Sequence, residues 1–346
     1  MTKIIATRSS LDDIASHLRL SEPAYRRAVE LANLEPDRAA WVRYIDRFLT
    51  ATGTLLVVAG IAAFFAWNWA DLGHLAKFAL LEGGIAIAAV FAWYFRLDSL
   101  AGRSSLFAAA FLAGLLLAVF GQVYQTGADP YGLFLTWAMV VLPLAIIGRQ
   151  AGLWVLLQLL LNLTVILYYT QVLNAPDDMR LFGPLALLAF TVLDSTLASY
   201  LFALNAAAFA VWEFMAGRDI PWMQGRLFPR LFAFLAFGTV LVPTLVIVIA
   251  AGFEINPQLS LVSPLLLVLA ISVCLYYYQY CRQDLFMLTC CLFAAILVIT
   301  ALTIRHLLEG MGGFGALLPI AVFVIAQVAA AAWWLRGVAR RQESGA

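Results

Sequence analysis

Long apolar runs occupy the chain from residue 48 to residue 335, separated by short polar stretches. Ten of these runs reach the roughly 20 residues that an α-helix needs to cross about 30 Å of hydrocarbon. We therefore predict an all-α, polytopic bundle of about ten transmembrane helices, at 48–67, 75–95, 104–122, 131–148, 151–170, 195–216, 230–252, 259–280, 284–304 and 314–335.

A polar and charged segment, residues 1–47, precedes the first predicted span. Ser10 and Ser21 each stand before a short amphipathic stretch, as residues that cap helix N-termini do. We predict two or three short helices here, too few to bury a core alone. The third is expected to start near Pro36 and to run into the membrane. Because the polar start is unlike a cleavable signal sequence, the first span is expected to target the chain to the membrane. The predicted divisions are a cytoplasmic segment at 1–47, a membrane domain at 48–335 and a cytoplasmic tail at 336–346.

One apolar stretch, 181–193, is too short to span and is followed directly by Asp194. We interpret it as interfacial or re-entrant, and an eleventh span is the alternative. Ten spans can divide into two halves, 48–170 and 195–335, and an odd number of spans in each half would invert the second. The segments YQTGADPYGLFLT and YQYCRQDLFMLT are a weak echo of such a repeat.

The basic residues orient the predicted bundle, because cytoplasmic loops carry an excess of Lys and Arg. If ten spans alternate from a cytoplasmic N-terminus, 18 of the 21 Lys and Arg residues lie inside. Only Lys77, Arg180 and Arg305 lie outside. We therefore predict that both termini are cytoplasmic.

The composition agrees with a membrane protein. Of the 346 residues, 64% are hydrophobic and 12% are charged, against about 45–50% and about 25% in soluble domains. The net charge of +1 excludes a strongly basic nucleic-acid surface. The four cysteines lie in or beside apolar runs and are expected to act as small apolar side chains. Membrane lipids are thus the expected partners, and we predict no nucleic-acid partner, cofactor or metal.

Four polar residues fall near the middle of predicted spans. Glu82 lies in the second span, where a carboxyl group without a cation at the same depth is expected to be protonated. Gln158 and Asn162 are four residues apart and share one face of the fifth span, and Asn205 lies near the middle of the sixth. Together they would form a polar cluster at the midplane.

Two interpretations of this cluster remain open. The four side chains could form hydrogen bonds that stabilise the packing of neighbouring helices. Gly83, Gly84 and Gly114 would allow those helices to approach closely. Alternatively, they could form a substrate or proton site at the centre of a transporter.

A second polar feature, GQVYQTGADPYGLF at 121–134, connects the third and fourth spans on the predicted outer side. Its polar side chains could satisfy the backbone of a well-capped hairpin, with Asp129 as the N-cap of the fourth span. They could instead line an outward-facing pocket at the membrane surface. The polar residues of this outer hairpin are Gln122, Tyr124, Gln125, Thr126 and Asp129.

The same hairpin resembles the signature of a family of predicted bacterial membrane proteins, the domain of unknown function numbered 2157. The matching residues are Gly121, Gln122, Tyr124, Gln125, Ala128, Asp129, Pro130 and Trp137. The resemblance covers roughly residues 10–170 and implies a protein of the bacterial inner membrane. It implies no activity.

Three functions follow from these features as hypotheses. The leading one is a transporter or permease-like protein for a small or lipid-like substrate. The second is a non-enzymatic scaffold that binds a protein partner through its N-terminal helices, and the third is a lipid-modifying enzyme. The sequence contains no zincin, P-loop, nucleophile-elbow or dinucleotide-binding motif, so an enzyme is disfavoured.

Overall fold

The protein is an all-α membrane protein. The structure is a computed structural model, and it describes residues 11, 18, 20–31, 38–67, 73–124, 129–173, 194–218, 220–250, 261–282, 284–311, 315 and 317–344. These residues contain ten helices long and apolar enough to cross a membrane. The ten predicted spans are thereby confirmed. The stretch 181–193 lies outside the described residues.

The described helices follow the predicted order. We number them α1 Glu22–Leu31, α2 Arg38–Trp67, α3 His74–Tyr94, α4 Leu100–Val123, α5 Pro130–Gly148, α6 Ala151–Tyr168, α7 Ser195–Ala216, α8 Leu227–Ala250, α9 Val262–Tyr276, α10 Leu285–Met311 and α11 Leu317–Ser344. A π-helical turn extends α6 over Tyr169–Leu173 and another extends α9 over Tyr277–Cys281. Pro221–Met223 form a 3-10 turn before α8.

Two helices extend beyond the predicted membrane domain, 48–335. The third short helix predicted in the N-terminal segment and the first span form one continuous helix, α2, of 30 residues. At the other end, α11 continues past residue 335 to Ser344, so most of the predicted tail is helical. Most residues on both extensions are Ala, Arg and other good helix formers, and neither contains a proline.

The chain divides into two compact units. The first comprises Met1–Leu112 and Arg340–Ala346, and the second comprises Ala113–Ala339. This division falls within α4 and differs from the predicted halves, 48–170 and 195–335, whose inverted symmetry stays a prediction.

The second unit contains a buried core between its helices. Helix α8 packs against α7, α9 and α10, while α6 packs between α5 and α7. Val240, Tyr278, Leu288 and Cys291 lie at the centre of this core and are fully buried. Cys274 and Cys291 are therefore small apolar side chains as predicted, but Cys281 is exposed.

Glycine allows one close approach between helices in the second unit. A Cβ atom built at Gly114 on α4 would fall inside the indole ring of Trp137 on α5. Gly84 in the first unit is less crowded, since its Cβ would lie 3.3 Å from Leu112 Cδ1. The same atom at Gly83 meets no described atom within 4 Å, so the close approach predicted there is wrong.

We expect Gly114→Ala to destabilise the protein by about 1–3 kcal/mol, because the Trp137 ring must move to make room. Thermal unfolding in detergent, followed by loss of the monodisperse peak, measures the effect. Gly238→Ala on α8 is the matched control: its Cβ meets nothing within 4 Å, and alanine favours a helix by about 1 kcal/mol over glycine. Equal midpoints for the two variants would contradict the packing described at Gly114.

Candidate functional site

Three amide side chains, which we call the amide cluster, join α6 to α7. Gln158 Nε2 and Asn162 Nδ2 donate to Asn205 Oδ1 at 3.0 and 3.1 Å, and Asn205 Nδ2 donates to Asn162 Oδ1 at 2.7 Å. Asn205 is fully buried and Gln158 is 6% exposed. The spacing of four residues puts Gln158 and Asn162 on the face of α6 that meets α7. The structure thus brings together three of the four polar residues predicted at the centre.

The amide cluster is anchored to its own helices as well. Asn162 Nδ2 also donates to the carbonyl of Gln158, and Asn205 Nδ2 donates to the carbonyl of Leu201, both at 2.8 Å. Because Gln158 uses Nε2 in the cluster, and no described donor bonds its Oε1, that oxygen remains able to accept a hydrogen bond.

An apolar cavity lies on the predicted cytoplasmic side of the amide cluster. Its volume is about 570 Å³, and residues of α5, α6, α7, α8 and the 3-10 turn line it. Along α6 the lining runs from Trp154 to Leu161 and includes Gln158, which lies seven residues or roughly 10 Å from Ala151. A cavity of this size accommodates a small organic ligand or part of a lipid.

Three tryptophans form one wall of the cavity. Trp154 stacks on Trp222 with ring centroids 6.4 Å apart, and Trp212 meets Trp222 edge to face at 5.8 Å. Trp212 Nε1 donates to the carbonyl of Met223 at 3.1 Å, which fixes the turn against α7. The indole N–H of Trp154 is buried without a hydrogen-bond partner among the described residues. The wall is therefore rigid and aromatic, with one unsatisfied donor.

Arg149 lines the shallow end of the cavity, between α5 and α6. It is exposed, and its backbone is left-handed, with φ 45° and ψ 38°. This conformation costs roughly 1–2 kcal/mol for a residue other than glycine. Such outliers persist where the surrounding structure fixes them, and they concentrate at functional sites.

A buried ion-pair network adjoins the tryptophan wall, centred on Glu213 of α7. Its two carboxylate oxygens accept from Arg226 Nη1 at 3.0 Å and Arg282 Nη1 at 2.7 Å. Tyr278 Oη, in the π-helical turn after α9, donates to the same carboxylate at 2.7 Å. The Glu213 side chain is 6% exposed and the two arginine side chains are each 27% exposed.

A second carboxylate, Asp284, completes the network at the start of α10. Arg230 Nη2 donates to Asp284 Oδ1 at 3.0 Å, and Arg226 Nε lies 3.7 Å from Oδ2. Asp284 Oδ1 also accepts from the backbone N–H of Phe286 at 3.1 Å, which caps α10. Three arginines and two carboxylates thus hold the ends of α7, α8, α9 and α10 together.

This network was not predicted from the sequence, because the three arginines were used only as evidence for the cytoplasmic side. Two signals pointed to it. Glu213 is an acid close to the end of an apolar span, and Arg226 and Arg230 are four residues apart, hence on one helix face.

The remaining predicted site residues are placed elsewhere. Glu82 belongs to the first unit, near the middle of α3, and it is exposed. Its participation in a common centre with the three amides stays a prediction.

Among the described residues, no three His, Cys, Asp or Glu side chains form a group that could hold a metal ion.

The outer hairpin is described in part. Gln122 and Tyr124 are exposed at the end of α4, whereas Gln125 and Thr126 lie outside the described residues. Asp129 occupies the predicted N-cap position of α5, followed by Pro130 at the first helical position. However, the Asp129 side chain accepts no hydrogen bond from the first turn of α5.

Residues 15–154 match the model of a family described as predicted membrane protein, DUF2157. Over these residues, the chain is similar to DUF2157. The resemblance found in the sequence is thereby confirmed. The DUF2157 match includes Arg149 and ends at Trp154, so the amide cluster and the ion-pair network lie beyond it. The chain has no significant match among functionally curated proteins and none among solved structures.

Proposed function

We propose that the protein is a permease-like carrier for a lipid-like substrate, bound in the cavity between the tryptophan wall and Gln158. The observation that carries this proposal is an apolar volume of about 570 Å³ that ends on buried amides within a membrane protein. A scaffold requires no such volume. A lipid-modifying enzyme would also need a nucleophile or a general acid or base beside its substrate, and the described lining contains no Asp, Glu, His, Cys, Ser, Thr, Tyr or Lys. The cavity therefore favours the carrier.

The arrangement suits a ligand with an apolar body and few polar atoms. Nearly all the lining side chains are aliphatic or aromatic, and the amide of Gln158 offers one acceptor. A small number of fixed polar groups in an apolar cavity orients a ligand without demanding that it shed many hydrogen bonds. With the predicted orientation, in which Arg149 is cytoplasmic, the substrate would enter from the inner leaflet of a bacterial inner membrane.

Glu82 is retained as the proposed protonatable group of this carrier. A carboxyl group at the middle of a span is costly and is a functional candidate by default. Its protonation would couple movement of the substrate to a proton gradient.

Translocation of a fluorescent lysolipid in proteoliposomes tests the proposed function. Dithionite added outside the liposomes quenches only label in the outer leaflet. We expect the inner-leaflet label to become accessible to dithionite faster in proteoliposomes than in protein-free liposomes, and we expect a pH gradient to increase that rate. In Glu82→Gln the effect of the gradient should be lost while the basal rate persists. A wild-type rate equal to that of protein-free liposomes would contradict the carrier proposal.

A further inference from the structure

We infer that the ligand of the cavity is an anionic amphiphile whose headgroup binds Arg149. This inference rests on the proposed function and names its substrate class. Arg149 is the charged residue among those that line the cavity; the other lining side chains are apolar apart from the amide of Gln158 and the indole N–H groups. The described lining therefore carries one uncompensated positive charge.

The charge of Arg149 is not neutralised within the described protein. Its guanidinium group forms no hydrogen bond or ion pair with a described residue, and the residue is exposed. The nearby arginines behave differently, since Arg226, Arg230 and Arg282 all pair with Glu213 or Asp284. A guanidinium that lacks a carboxylate partner is available for an external oxyanion, which it can bind through two parallel hydrogen bonds.

The position of Arg149 fits a headgroup rather than a buried substituent. It precedes α6 by two residues, whereas Gln158 lies roughly 10 Å further along that helix. An apolar chain would then follow the tryptophan wall towards the amides while the charged end remains at the interface. This is the ordinary orientation of an amphiphile, with the polar end wet and the apolar end buried.

The strained backbone of Arg149 agrees with a role for its side chain, and among the described residues Arg96 after α3 also has a positive φ. A left-handed residue after a helix is usually glycine, which adopts this conformation without penalty. Here an arginine occupies the position with φ 45°, although glycine would be more stable. The conformational cost of an arginine at this position is explained if its side chain has a role that glycine cannot fill.

Binding of chain-matched lysolipids to the purified full-length protein tests the inference. We expect lysophosphatidic acid to bind about tenfold more tightly than lysophosphatidylcholine, because only the former presents an unshielded oxyanion. Arg149→Gln should bring the two affinities together, and Arg149→Lys should restore part of the preference. Inorganic phosphate should not compete, since it lacks the apolar chain.

The outcomes separate this inference from the proposed function. Equal wild-type affinities for the two lysolipids would overturn the anionic headgroup but leave the cavity as a lipid site. A preference that persists in Arg149→Gln would assign the headgroup to other residues and overturn the role of Arg149. Binding of neither lysolipid would overturn the proposed function itself. Thermal unfolding of each variant verifies that the fold is intact.

Discussion

Glu213→Ala is expected to lower the free energy of unfolding by about 3 kcal/mol, the low end of the range for removing one partner of a buried ion pair. The change leaves Arg282 without its carboxylate and Arg226 with only Asp284, at 3.7 Å, and it removes the acceptor of Tyr278 Oη. We place the effect at the low end because the two arginine side chains are each 27% exposed and can recover part of their solvation.

Thermal unfolding in lipid nanodiscs measures this loss. Asp129→Ala is the matched control, because that carboxylate is exposed and makes no capping bond to α5. We expect the control to keep the wild-type midpoint. If the two variants unfolded at the same temperature, Glu213 would not hold α7, α8 and α9 together as the structure indicates.

The spans could be predicted because lipid imposes one strict requirement on them. A helix must stay apolar for about 20 residues to cross the hydrocarbon, and that requirement is visible without knowledge of any neighbour. The extension of α2 back to Arg38 was visible for a similar reason, since the residues from Pro36 onwards favour a helix that runs into the first span.

The amide cluster could be predicted in part. Gln158 and Asn162 share a helix face by spacing alone, and Asn205 lies at a similar depth. Depth does not determine which face of a helix a residue occupies, however. Glu82 lies as deep in its span as predicted, yet its side chain is exposed.

The cavity and the ion-pair network could not be predicted from local pattern. Glu213 and Arg282 are 69 positions apart, and they meet because α7 and α9 pack against α8 and against each other. The cavity depends on how four helices and the 3-10 turn pack together. The hydropathy of the sequence does not indicate where such packing leaves an empty volume. The lone charge of Arg149 became informative only once its apolar surroundings were known.

Ala207→Trp is expected to weaken lysophosphatidic acid binding at least about tenfold, a loss of about 1.4 kcal/mol or more. Ala207 lines the cavity and is exposed, so the indole ring would enter the space proposed for the apolar chain. Because the position is not packed in a core, the substitution should leave the fold intact.

Binding to this variant, compared with Ala210→Trp, is the most direct test of a lipid site in the cavity. Ala210 is an exposed alanine on the same helix, but it does not line the cavity. We predict wild-type affinity for Ala210→Trp and at least about a tenfold loss for Ala207→Trp. Equal affinities in the two variants would show that the lipid binds elsewhere on the protein.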